Sequence, residues 1–189
     1  MFEIRRYTPA LANEWNQFVA ASKNGTFLFD RRYMDYHADR FQDHSLLFYL
    51  GERLLAVLPA HQSGDTLCSH NGLTYGGLVM SPRLTVVQTM NLFRELNDYL
   101  RGEGFRHVSY KCIPWIYHRL PAEEDLYALI TNMTKTRSTQ IVVQFTKQIH
   151  GLNHRQTRAH HQTAISETIV RAERIARLMG WQNGQQAFT

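Results

Sequence analysis

Residues 85–104, TVVQTMNLFRELNDYLRGEG, constrain the fold more than any other stretch of the chain. Val87, Met90, Phe93, Leu96, Asn97 and Leu100 recur at helical spacing, and glycines at 102 and 104 provide a stop. A helix with one apolar stripe must lay that stripe against something. The flanking segments supply the cover, because they are apolar or alternating over about four to eight residues, as strands are. SLLFYLG and RLLAVLPAHQSG read as a hairpin turned at Gly51-Glu52-Arg53. TLCSH and YGGLVM read as strand pieces, FRHVSYKCIP as a strand stopped by Pro114, and TRSTQIVVQF as a last strand. One sheet is therefore expected over 45–50, 53–60, 75–80, 105–112 and 138–145, with helix 86–101 packed on it.

FEIRRYT opens the chain as an alternating strand, and Thr8-Pro9 starts a helix with Leu11, Trp15, Phe18 and Val19 on one side. Asn24-Gly25 signals a reversal. Asp30 is placed to cap a helix carrying Tyr33, Met34, His37 and Phe41 on roughly one face, and Pro121 opens another with acids in its first turn. The fold class is α/β: a mixed, mostly antiparallel sheet with flanking helices, plus a C-terminal helix.

From about residue 150 the composition shifts to His, Gln and Arg with few aromatics. Ile165, Ile169, Ala172, Ala176 and Met179 predict a helix from about 163 to 179. An isolated helix of that length is marginal in water, so the stripe is expected to dock on the rest of the chain or on a second copy in a homodimer. With 189 residues and 43% hydrophobic content, the chain holds one full core and a small appendage. Its net charge of +5 is either a solvated surface or a sign of an anionic partner, such as a nucleotide-sugar, a tRNA or a membrane surface. Cys68 and Cys112 stand far apart in apolar runs, without zinc spacing. No apolar signal core and no transmembrane run is present, so the protein is expected to be cytoplasmic.

The chemistry-bearing stretch is SHNGLTYGGLVMSPRL, residues 69–84. A glycine-rich strand there runs into a short loop and the long helix. A loop that held a pyrophosphate at the helix N-terminus would need free backbone N–H groups and close approach, hence glycines. Ser81-Pro82-Arg83-Leu84-Thr85 has no glycine, and Pro82 lacks the N–H. Gly76-Gly77 is either a ligand contact or a place where two backbones pack closely. His70 and Tyr75 flank this segment and either line a pocket or sit half-buried in the sheet. Lys111, beside Tyr110 in the next strand, either meets a phosphate or carboxylate or faces solvent. Tyr117, after Pro114-Trp115, either offers a face to a sugar ring or packs in a tight turn. Asp35, His37, Asp39 and Arg40 lack metal spacing and read as a capping and salt-bridge helix. His160-His161 with Arg155 and Arg158 is basic but has no interleaved aromatics, and reads as a solvated helix start. No Ser-His-Asp arrangement, Walker loop or dinucleotide fingerprint is found.

The blocks NGTFLFDRRYMDYHADRFQDHSLLFY, LLAVLPAH, SHNGLTYGGLV and YKCIPWIYHRLPAEEDLYALI resemble the N-terminal lobe of FemAB-like acyltransferases, within the GNAT fold, over about residues 2–150. The resemblance implies a GNAT-like lobe at 1–150, followed at 151–189 by a helical extension or the truncated start of a second lobe. It implies transfer of an acyl or aminoacyl group to an amine of an amino-sugar, nucleotide-sugar or peptidoglycan precursor. If the lobe keeps that role, an acceptor cleft is expected beside the kinked strand, with His70, Tyr75, Tyr110, Lys111 and Tyr117 around it as aromatic faces for a sugar and one cation for a phosphate or carboxylate. The family's donor loop resembles Arg/Gln-x-x-Gly-x-Gly/Ala, from which MSPRLTVVQ departs. No cofactor is therefore expected on this lobe, with acyl-CoA or aminoacyl-tRNA serving as donor only where a second lobe or a partner supplies the site. The alternative is a non-catalytic binding lobe or subunit.

Overall fold

In the computed structural model, residues 1–133 and 140–144 are described. The C-terminal helix, its docking or dimer partner and the extension at 151–189 all lie outside them.

Four strands form one antiparallel sheet in the order β1-β3-β4-β7: β1 (Glu3–Arg6), β3 (Leu46–Leu50), β4 (Arg53–Leu58) and β7 (Val79–Met80). A second sheet has the order β2-β5-β6-β8-β9: β2 (Gln42–Asp43), β5 (His61–Ser63), β6 (Thr66–Cys68), β8 (His107–Lys111) and β9 (Gln140–Gln144). There β2, β5 and β6 are antiparallel, while β6, β8 and β9 run parallel. Among the described residues, four α-helices accompany them: α1 (Ala12–Ala21), α2 (Arg31–Met34), α3 (Val86–Gly102) and α4 (Glu124–Met133). The mixed α/β arrangement of antiparallel strands and flanking helices is thus the one expected.

The first sheet is covered on both faces, which explains why β3 reads LLFYL without a polar residue. Leu46 and Phe48 join Ala56, Leu58 and Met80 in a core with Leu92, Phe93, Leu96 and Leu100 of α3 and Leu129 of α4. Leu47, Tyr49, Val57 and Val79 point the other way, into a core with Trp15 and Val19 of α1 and Leu28, Phe29 and Met34. That period-two split fixes the register. Gly51, at φ +62°, makes the hairpin turn between β3 and β4.

One sheet was expected and two are found. The chain passes from β4 into β5 through Pro59 and Ala60, and from β2 into β3 through His44 and Ser45. These two crossings are tied together by His44 N–H to Ala60 O at 3.0 Å and by Ser45 Oγ, which also accepts from Ala60 N–H at 3.2 Å. The passage from β6 to β7 detours through residues 69–78. Of the expected strand 75–80, only Val79–Met80 pairs.

Local signals at the helix ends are realised more closely. Asp30 caps α2, its carboxylate accepting from Arg32 N–H at 2.9 Å. α2 is nonetheless a single turn that tightens into a 3-10 turn at Asp35–His37. Arg31, buried at its start, stacks on the Tyr7 ring at 3.5 Å and pairs with Asp35 at 2.8 Å and Asp43 at 2.5 Å.

Candidate functional site

Parallel strands open their ligand crevices at their carboxyl ends. The carboxyl ends of β6 and β8 lead into 69–78 and 112–120, so the site is sought there. The 69–78 segment is fastened between the strands. Ser69 N–H donates to Ser109 O at 2.8 Å, Lys111 N–H to Ser69 Oγ at 2.6 Å, and Leu78 N–H to the Tyr110 hydroxyl at 2.7 Å. A Cβ on Gly76 would lie 2.2 Å from Ser69 O, and one on Gly77, at φ +100°, 2.7 Å from Lys111 O. The two glycines therefore serve close backbone packing.

Tyr75 and Tyr117 meet, although 42 positions separate them (117 − 75). Their rings stack at 4.9 Å between centroids with 22° between planes. Tyr75 is buried, with its hydroxyl donating to Thr26 Oγ1 at 3.1 Å and its ring edge-on to Phe29 at 5.8 Å. Tyr117, in a 3-10 turn at Trp115–Tyr117, is 39% exposed. Phe27, beside Thr26, is 70% exposed and packs edge-on to Tyr33. Arg119 ties the 3-10 turn's exit to the end of α1, donating to Ala20 O at 2.5 Å and Gly25 O at 3.1 Å. The result is an aromatic pair held from one side, with Tyr117 its more exposed member.

Lys111 turns to the same loop: its Nζ donates to Leu73 O at 3.0 Å. Partial burial draws its pKa below the ordinary lysine value. His70 is buried in the 69–78 segment, in the left-handed region at φ +52°. Its ring lies 5.2 Å from Phe41 and 5.6 Å from His61, and its Nδ1 has no hydrogen-bond partner. Desolvation first, then the neighbouring His61, hold its pKa down to about 4, so it is neutral at pH 7. Tyr110 points to the opposite face. Fully buried against Phe93, it donates its hydroxyl to Asp125 at 2.7 Å. Of the five residues singled out, Tyr75 and Tyr117 form one platform, Lys111 and His70 belong to the loop behind it, and Tyr110 belongs to the core. Thr26, Phe27 and Phe41 were not singled out. Only the run NGTFLF, unusually aromatic for a turn, hints at the first two.

The long helix begins with its own closure. Thr85 Oγ1 accepts from Gln88 N–H at 3.3 Å and Gln88 Oε1 accepts from Thr85 N–H at 3.0 Å, a reciprocal capping box. With Pro82 lacking a donor and Leu84 N–H already given to Ser81 O at 3.0 Å, the turn before α3 offers no run of free amides to a pyrophosphate. No group of residues suited to hold a metal ion occurs among the described residues. Likewise, no described helix is long and apolar enough to cross a membrane.

No protein-family model and no curated protein matches the chain. Among solved structures, a GNAT family acetyltransferase from Brucella melitensis in complex with acetyl-CoA is similar at 19% identity and TM-score 0.40, over 57% of this chain and 73% of its own. Aminoglycoside 6'-N-acetyltransferase AAC(6')-IG from Acinetobacter haemolyticus is similar at 15% identity and TM-score 0.41, over 78% of this chain and 99% of its own. AAC(6')-Ih from Acinetobacter baumannii is similar at 12% identity and TM-score 0.42, over 79% and 99%. Likenesses this distant carry no residue's role across.

Proposed function

We propose that this chain is the acceptor-binding lobe of a FemAB-like N-acyltransferase, presenting the amine of a sugar or cell-wall precursor to an acyl donor held elsewhere. The reaction class rests on the resemblance of the sequence blocks. The observation that supports the lobe's own role is the Tyr75–Tyr117 stack, a rigid aromatic face at the carboxyl end of β8. Such a face packs against the apolar side of a sugar ring, and stacking on Tyr75 limits the rotamer entropy lost when it does. In the transfer the acceptor nitrogen bonds to the acyl carbon, the carbon–sulfur or carbon–oxygen bond to the donor breaks, and the amine's proton ends on the departing thiol or hydroxyl. Binding and orienting the acceptor is this lobe's share. His70, buried and neutral, is not presented to an acceptor.

The reading is tested by calorimetric titration with glucosamine and UDP-glucosamine, both of which carry a free amine. Saturable binding is expected, weakened about tenfold by Tyr117→Ala, which removes a contact of about 1 kcal/mol or more. Equal binding by wild type and variant would remove the platform from the account. A second reading, a binding lobe with no part in catalysis, is favoured by the capping box that closes α3. It predicts acceptor binding with no acyl transfer even when a donor-bearing partner is added.

A further inference from the structure

A cavity of about 460 Å³ lies between the end of α1 and the start of β4, and neither Tyr75 nor Tyr117 lines it. Its apolar lining comes from Phe18 near the end of α1 and from Leu54 and Leu55 of β4. Its rim comes from Arg53 at the hairpin and from Ser81 and Arg83 before α3. The size falls within the range of small-molecule sites, about 300–1,000 Å³.

The two arginines set this cavity apart. Among the described residues, the other arginines each pair or bond with a carboxylate, a backbone carbonyl or an amide oxygen. Of the arginines, Arg53 and Arg83 alone have no side-chain partner among the described residues, and both line this cavity. Two exposed guanidiniums on the rim of one apolar cavity give it a positive potential that attracts an anion. Their frame is fixed. Ser81 N–H donates to Leu55 O at 2.9 Å, which joins the rim to β4, and Arg83 N–H donates to Ser81 Oγ at 3.2 Å. The register opposite Leu50 holds Arg53 at the start of β4.

We propose that Arg53 and Arg83 form an organic-phosphate site, taking a phosphate ester whose apolar or ring-bearing part rests on Phe18 and Leu54. Guanidinium forks match phosphate oxygens in paired hydrogen bonds, which a lysine ammonium does not reproduce. The site depends on side chains and not on helix amides, so the closed N-terminus of α3 does not affect it. It is also independent of acyl transfer.

Calorimetric titration of the full chain with phenyl phosphate, inorganic pyrophosphate and benzyl alcohol tests the proposal. Phenyl phosphate is expected to saturate the site and to bind more tightly than pyrophosphate, with benzyl alcohol not saturating. Arg53→Ala and Arg83→Ala should each weaken phenyl phosphate about tenfold or more, and the corresponding lysine variants should recover only part of that loss. Because both side chains are exposed and unpartnered, neither alanine variant should shift the melting temperature, and the lysine variants serve where one does. Tyr117→Ala should leave phenyl phosphate binding unchanged, which separates this site from the acceptor platform. Absence of saturation up to about 10 mM, or alanine variants that bind as the wild type does, would overturn the proposal.

Discussion

Gly77 and Tyr110 hold one another in place. At φ +100° any side chain on residue 77 is strained, and a Cβ would lie 2.7 Å from Lys111 O and 3.1 Å from the Tyr110 hydroxyl. That hydroxyl sits between Leu78 N–H and the Asp125 carboxylate, accepting from one and donating to the other. Gly77→Ala is therefore expected to cost more than about 1 kcal/mol, through backbone strain and through pushing Tyr110 off a buried network. Urea denaturation measures the loss, and an unchanged midpoint would mean that the loop can move away at little cost. Tyr110→Phe removes the hydroxyl from both partners and should cost about 1–3 kcal/mol, because it leaves Leu78 N–H and a carboxylate oxygen unmet inside the core. These are losses of stability, and acceptor binding by the folded fraction should survive them. Strand alternation already places Tyr110 and Lys111 on opposite faces of β8, so grouping them in one pocket ran against a rule legible in the sequence. The pairing of Tyr75 with Tyr117 was not legible. It depends on how the 69–78 loop and the 3-10 turn after Pro114 come together in space.

Helix α3 shows where sequence reading succeeds and where it drifts. Its existence and span follow from spacing alone, and the structure begins it at Val86, one residue after the Thr85 cap. The buried face is rotated, however. Val87, counted in the apolar stripe, is 68% exposed, whereas Thr89 and Leu92 are fully buried. The stripe rule assumes one covering surface, but α3 packs on the first sheet and also beside α4, which widens and turns the covered arc. The division into two sheets was hidden for a related reason. Hairpin and turn signals are local, while the departure of 69–78 from the strand path depends on hydrogen bonds to β8 that span 42 and 32 residues. At the N-terminus of α3, Thr85→Ala should lower stability by about 1 kcal/mol, the usual worth of a capping side chain, without creating or abolishing affinity for acetyl-CoA. Thermal unfolding reads the first effect and calorimetry the second. Micromolar binding of acetyl-CoA by the wild type that Thr85→Ala alters would place a donor at this turn.

The stability of the whole molecule carries two opposed acid responses. His70 is held to about 4, against an ordinary 6.5, chiefly by desolvation. The unfolded chain therefore binds the extra proton between those values, and the contribution of neutral His70 is present above pH 6.5 and lost as pH falls toward 4. His61 and His44, whose pKa values burial also lowers, act in the same sense. Asp125 behaves in reverse. Buried at the start of α4, it is raised from 3.8 to about 6 by desolvation, with Tyr110 and Leu126 N–H only partly restoring the charged form. Here the folded state holds the extra proton, so its contribution is present below pH 3.8 and lost as pH rises through 6. Each shift spans about two pH units, on the order of 3 kcal/mol, a sizeable share of the roughly 5–15 kcal/mol that holds a domain together. The wild type should accordingly show a muted change in unfolding free energy between pH 6.5 and 4.5. Asp125→Asn keeps an acceptor for Tyr110 but removes the titration, and it should make the loss on acidification steeper. His70→Asn, a side chain tolerated at positive φ, should make it shallower. Urea unfolding of the three proteins at both pH values compares the slopes directly. Parallel slopes would show that neither group titrates inside the core, and an inverted order would contradict the burial assigned to both.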